Sequence, residues 1–359
     1  MSSCYKVYDP KTDKDKKVLM VNGMITNKSD SYHIVINYAE SFNSGGTGMP
    51  ISSANVYITD DLGDSYIFNE RGIGNYISDS LQFTGQPGRT YQLHIVTPDD
   101  EEYKSDPQRL FPESSPDTVY AEFDNKEIIE RTTGLKVNTH GANILSDMRN
   151  QTDTLPRFRF TSNLVIQYFY QICPIGGQCI SYYCWKTDNA DPSINLTGGV
   201  YSQGSSSKRK HSVCFLDDNL FCYALVYGVR YSEENSSNNL VSGVDYKSYM
   251  VHHRILYLKQ YTLNNEAYLY YKSLDEQMQS EGKLFDPIAT QLNGNIKCIT
   301  DPEKKAIGFF EASSVSYSAY VVDFRNLKNS QPSIIKTPYI LPPGSKGCYI
   351  DKVPPFWVN

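Results

Sequence analysis

Ala54-Asn55-Val56-Tyr57-Ile58-Thr59-Asp60-Asp61-Leu62-Gly63-Asp64-Ser65-Tyr66-Ile67-Phe68-Asn69 is the stretch from which the fold is read. Residues 54–59 alternate with period two, which places Ala54, Val56 and Ile58 on one buried face of a strand. Asp60 to Asp64 carries the Asp and Gly of a hairpin turn, and Ser65 to Asn69 runs back. The same grammar extends outward on both sides. Val18 to Val21 and Tyr32 to Tyr38 are strands, Gln86-Pro87-Gly88 turns the chain into Tyr91 to Ile95, and a further turn at 97–100 precedes Tyr103. Short alternating strands with regular turn signals predict a β-sandwich over 18–110, immunoglobulin-like or prealbumin-like.

Phe111-Pro112-Glu113-Ser114-Ser115-Pro116-Asp117 reads as a linker, because its two prolines and two serines punctuate the pattern. Residues 118–359 are then expected as a larger β-rich domain, with strands at 120–123, 158–160, 164–170, 221–231, 250–261 and 314–324. One helix stands out at 265–281. Asn264 can cap its start, Glu266 suits the positive end of its dipole, and Gly282 can end it. Ala267, Tyr271, Leu274 and Met278 recur at helical spacing and form an apolar stripe, read as core packing. Polar tracts at 201–210 and 232–243 are expected as hairpin loops. The fold class is thus mainly β: a sandwich followed by a β-rich domain with one main α-helix.

The 359 residues carry 34 Lys and Arg against 40 Asp and Glu, a net charge of −6. Without a basic domain, no nucleic acid is expected as a partner. Hydrophobic residues make up 40%, enough for real cores, yet no run of 18 apolar residues could cross a bilayer as a helix. The 29 tyrosines outnumber the 15 phenylalanines, which suits sheets with one wet face.

Cys4 follows Met1-Ser2-Ser3 and precedes a polar stretch, Tyr5 to Lys17, that mixes aspartates with lysines. A cysteine, a solvated tether (1–17) and then a folded domain is the layout of a bacterial lipoprotein, with Cys4 as the lipidation site. A tether of this length reaches roughly 20 Å. An apolar signal peptide is expected upstream of Cys4. The other cysteines, Cys173, Cys179, Cys184, Cys214, Cys222, Cys298 and Cys348, all lie in the second half and are disulfide candidates. Zinc is the competing reading, but no C-x-x-C occurs and no His stands at ligand spacing. Seven is odd, so either one thiol stays reduced or Cys4 pairs instead.

No catalytic, cofactor or metal residue is assigned. His33 and His94 read as sheet residues, and the adjacent His252 and His253 point to opposite faces of a strand. Ser205 to Lys208 matches S-x-x-K only inside a Ser-rich tract, and Gly45 to Gly48 lacks the helix that a phosphate cradle needs. Asp60, Asp61 and Asp64 could gather around calcium, but the spacing favours a plain turn. Lys208-Arg209-Lys210-His211 reads as a solvated hairpin end. Asp79-Ser80-Leu81, Asp117-Thr118-Val119 and Asp153-Thr154-Leu155 resemble a bacterial O-glycosylation pattern.

A series of segments, in order, resembles a family. These are Ala54 to Asp60 with Gly63 and Gly74-Asn75-Tyr76, Gly88 to Ile95 with Tyr103-Lys104-Ser105, and Cys184-Trp185. Gln260 to Tyr268, Phe285-Asp286-Pro287, Gly294-Asn295-Ile296, Gly308 to Ser313, Cys348 and Pro355-Phe356-Trp357 follow. Together they are similar to domain-of-unknown-function family 4249, from Cys4 to the C-terminus. The second cysteine that this family often has near the position of Cys348 is missing here. The resemblance implies an exported lipoprotein of the Gram-negative outer membrane, held by its lipid and often encoded beside a TonB-dependent receptor. It implies a non-catalytic accessory partner of that receptor in nutrient capture and uptake, without cofactors and with unidentified cargo. The alternative is a surface adhesin or structural lipoprotein without a transport role.

Overall fold

The computed structural model describes residues 18–39, 48–79, 81–129, 135–148, 157–172, 180–189, 194–197, 209–217, 250–279, 292, 294–322 and 346–349. The chain is mainly β, as expected, and divides into two compact units. Unit 1 comprises Met1–Glu113 with Tyr261–Val315, and unit 2 comprises Ser114–Gln260 with Ser316–Asn359.

Unit 1 is organised by a sheet formed from β1 (Leu19–Ile25), β2 (His33–Tyr38), β3 (Met49–Pro50), β4 (Asn55–Asp60), β5 (Ser65–Gly72), β6 (Asn75–Ser78), β7 (Thr90–Val96), β8 (Glu102–Ser105) and β9 (Gln108–Arg109). Two later strands complete it, β17 (Ile296–Cys298) on β8 and β18 (Ala306–Ala312) on β1. The alternation read from sequence is the alternation observed. Leu19, Val21 and Ile25 of β1, Ile34 and Ile36 of β2, and Val56 and Ile58 of β4 are buried, while their neighbours face outward. Their core also takes in Ile296, Cys298, Phe310 and Ala312.

The domain boundaries therefore differ from those read in the sequence. Residues 261–315, expected in the second domain, cluster with the first. The reason is a parallel pairing of β1 with β18, in register from Leu19↔Ala306 to Ile25↔Ala312. Without β17 and β18, one side of the apolar set on β1 and β8 would lie open to water. Two glycines permit the close approach. A Cβ on Gly308, whose φ is +101°, would stand 1.8 Å from the Val21 carbonyl oxygen, and one on Gly294 would stand 1.8 Å from the Gly308 oxygen.

The helix, α1 (Asn265–Gln279), also belongs to unit 1 and packs against β18. Its expected apolar stripe is correct at Ala267, which is fully buried, but fails at Met278, which is 63% exposed. Tyr271 and Leu274, between them, are half-buried.

Unit 2 is built on two further sheets. One comprises β10 (Thr118–Ile129), β11 (Lys136–Met148) and β15 (Arg209–Asp217); the other comprises β12 (Arg157–Ile172), β13 (Ile180–Asn189), β14 (Asn195–Thr197), β16 (Met250–Leu263), β19 (Ser314–Val321) and β20 (Lys346–Tyr349). Val119, Ala121, Ile144, Val213 and Leu216 of the first sheet share a core with Phe158, Phe160, Leu256, Leu258 and Tyr320 of the second. Of the basic run at 208–211, Lys208 lies outside the described residues and Lys210 is exposed. From Arg209 the run is the start of β15, where Lys210 pairs with Glu122 and His211 stacks on Phe160 at 5.2 Å. The strand expected at 221–231, the tracts 201–208 and 232–243, and the tether 1–17 lie outside the described residues. Among the described residues, no helix is long and apolar enough to cross a membrane.

Candidate functional site

Unit 1 carries a cleft of about 310 Å³ between one face of α1 and the strands beside it. Its position follows from how the helix begins. Asn264 Oδ1 accepts from the Ala267 amide at 2.7 Å, which is an N-cap. The same side chain donates through Nδ2 to Gln108 Oε1 at 2.6 Å, and Gln108 Nε2 donates to Glu266 Oε2 at 2.7 Å. Gln108 is fully buried, so this chain of bonds ties the helix N-terminus to β9. Tyr271 adds a second tie by donating its hydroxyl to buried Glu311 at 2.6 Å.

The wall opposite α1 is fixed by Asn295. Its Nδ2 donates to the Phe310 carbonyl and its Oδ1 accepts from the Phe310 amide, both at 2.9 Å. The side chain thus acts as an extra rung between the segment leading into β17 and β18. Asp106 lies on the rim and binds Lys297 Nζ at 2.6 Å. Tyr270 stacks on Phe309 with centroids 4.7 Å apart, and half-exposed Leu269 extends this apolar surface. Burial pushes the Tyr270 hydroxyl above its ordinary pKa, so it stays a neutral donor at physiological pH.

Besides Leu269, the cleft is lined from the helix by Glu266, Tyr270, Ser273 and Gln277. They recur at the same spacing as the stripe read from sequence, one residue out of phase with it. Helical periodicity was therefore the right signal, and polarity steered it to the neighbouring stripe. The arrangement offers an aromatic and aliphatic floor with acceptors at its edge. Such a surface can hold a small ligand or a short segment of another protein.

The other residues considered in the sequence fall elsewhere. The aspartate turn is closed by its own bonds: Asp60, on the core side of β4, accepts from the Leu62 and Asp64 amides at 3.0 Å and from the Tyr66 hydroxyl at 3.0 Å. Arg89 forms ion pairs with Asp60 at 2.6 Å and Asp61 at 2.5 Å. Its hydrogen bond holds the Asp61 carboxyl below the usual range. The plain-turn reading fits this geometry, with Arg89 where a cation would have stood. His33 opens β2 and its Nδ1 lies 3.2 Å from Asn75 Oδ1. His94 is buried in β7, stacked on Tyr57 and 2.9 Å from Thr59 Oγ1. Thr118 starts β10 and donates its hydroxyl to Asp147 at 3.2 Å. Among the described residues, no group of three or more His, Cys, Asp or Glu could hold a metal ion.

Of the disulfide candidates, Cys214 and Cys298 are buried thiols, one in each unit. Cys298 Sγ lies 3.4 Å from Thr300 Oγ1. Cys184 and Cys348 lie in β13 and β20. Cys4, Cys173, Cys179 and Cys222 lie outside the described residues, as do Ser205 to Lys208 and Gly45 to Thr47.

Many of the segments that carry the family resemblance now have a structural role. Gly294, Asn295 and Gly308 close the sheet, Asn264 and Glu266 seat the helix, and Glu311 anchors Tyr271. No curated protein and no solved structure is detectably similar to the chain. The family described as Domain of unknown function (DUF4249) matches residues 5–318, and the chain belongs to that family.

Proposed function

We propose that the protein is an outer-membrane lipoprotein, anchored through Cys4, that serves a TonB-dependent receptor as a non-catalytic accessory partner in nutrient capture. The cleft beside α1 is the place where cargo, or a segment of the receptor, is held. The observation that supports a holding role is the state of its carboxylates. Asp106 is bound to Lys297, and Glu266 accepts from buried Gln108. Carboxylates already committed to structural partners suit recognition better than proton transfer, which requires a group that can reach the substrate in either protonation state. The lipid supplies the anchor, each buried CH₂ contributing about 0.8 kcal/mol, so that a multiply acylated cysteine stays in the membrane.

The test is a detergent pull-down from outer membranes of the protein expressed from its own gene, read by mass spectrometry beside a Cys4→Ser variant. Stoichiometric recovery of a TonB-dependent receptor with the acylated protein, lost in the variant, is the expected result. Recovery of the acylated protein alone would favour the adhesin. An unmodified protein in the soluble fraction would overturn the lipoprotein reading altogether.

A further inference from the structure

We infer that Cys184 and Cys348 form a disulfide that fixes the edge strand β20 to β13 of the six-stranded sheet. The two strands run parallel, in register from Tyr182↔Lys346 to Trp185↔Tyr349, and this register sets Cys184 directly opposite Cys348. In-register positions on neighbouring strands share a face of the sheet. Strands are spaced about 4.8 Å apart, inside the roughly 4.4–6.8 Å Cα separation that a disulfide spans. The juxtaposition is selective. The other two strand cysteines of the described residues, Cys214 and Cys298, stand opposite Ile144 and Tyr103.

β20 contributes only four residues and ends the strand order of its sheet. A short parallel pairing is a weak attachment, and a cross-link there converts it into a permanent cover for the edge of β13. The chemistry requires a disulfide oxidant of the glutathione type. One cysteine thiolate attacks glutathione disulfide and releases one glutathione. The second cysteine then attacks the mixed disulfide and releases the other. Two protein thiols are oxidised, one glutathione disulfide is reduced, and the two protons end on the released thiols. This inference stands apart from the proposed function, since it concerns the sheet of unit 2 and not the cleft.

The experiment equilibrates the full chain in a glutathione redox buffer, blocks the remaining thiols by alkylation and digests with trypsin without reductant. The expected product is the 347–352 peptide joined to the peptide carrying Cys184, with fragmentation placing the link at Cys184. A Cys173→Ser/Cys179→Ser variant keeps the link, whereas Cys184→Ser and Cys348→Ser each lose it. Reduction is expected to speed amide hydrogen exchange at 346–349. Alkylation of Cys348 in the unreduced protein, or its linkage to any other cysteine, overturns the inference. Because the mapping uses the unaltered chain, that outcome does not depend on the variants folding.

Discussion

Replacing Asn264 with alanine removes two bonds at once, and the structure separates their contributions. The first is the N-cap to the Ala267 amide, whose loss costs about 1 kcal/mol. The second is the Nδ2 donor to Gln108 Oε1. Gln108 is fully buried, so its oxygen is left without that donor and away from water, at a cost of about 1–3 kcal/mol. The sum is about 2–4 kcal/mol, and at roughly 2–4 °C per kcal/mol for a unit of this size the unfolding midpoint falls by about 4–16 °C. Asn264→Asp keeps an acceptor for the Ala267 amide and adds a charge that suits the helix N-terminus, but it cannot donate to Gln108. It should therefore fall between the wild type and the alanine variant. Differential scanning calorimetry reads the midpoints, and hydrogen exchange at the Ala267 amide reports the cap directly. A shift under about 2 °C for Asn264→Ala, or equal losses for the two variants, would refute this partition.

Three further outcomes are expected. Gly308→Ala places a Cβ 1.8 Å from the Val21 carbonyl at a φ of +101°, so β18 must part from β1; a loss of soluble folded protein, or a collapse in the exchange protection of 19–25, checks it. His94 has its pKa lowered chiefly by burial and then by Lys104, so the folded chain resists a proton that the unfolded chain accepts near pH 6.5. Stability present above pH 6.5 should therefore fall on acidification, by at most about 1.4 kcal/mol per pH unit, until the folded pKa is passed. Denaturant titrations with pH should show this slope flatten in His94→Gln. Tyr66 is pushed from 10.0 up to about 12, first by burial and then by Asp60, and Tyr120 to about 12 by burial and then Asp147. Both groups stabilise the fold fully below pH 10 and lose that contribution as pH rises toward 12; alkaline absorbance titration should show a late phase that shrinks in Tyr66→Phe and in Tyr120→Phe.

The strand over 55–60, its hairpin partner and the β7 strand were legible because a half-buried strand writes its burial into alternate residues. Asn264 and the helix after it were legible because a cap and a 3.6-residue period are local signals. The two short segments read at 158–160 and 164–170 are one strand, β12, in which the polar break at Thr161-Ser162-Asn163 does not interrupt pairing. The start of β15 was missed because Arg209-Lys210-His211 is polar, yet Glu122 across the sheet gives Lys210 a partner and the Phe160 ring gives His211 one. The cleft was missed for a related reason. Glu266, Ser273 and Gln277 look like a solvated helix face until the strands are set beside them.

What the sequence determined by itself is everything that depends on neighbours along the chain: the β class, the turns, the helix start and the order of the family's segments. Which distant segments meet is settled only when the chain packs in three dimensions. Leu19 pairs with Ala306, Gln108 bridges Asn264 and Glu266, and Cys184 stands opposite Cys348. Each of these joins residues that lie far apart in the chain. Local pattern carries no information about such pairings, because they are selected by which faces remain unburied once the local elements have formed.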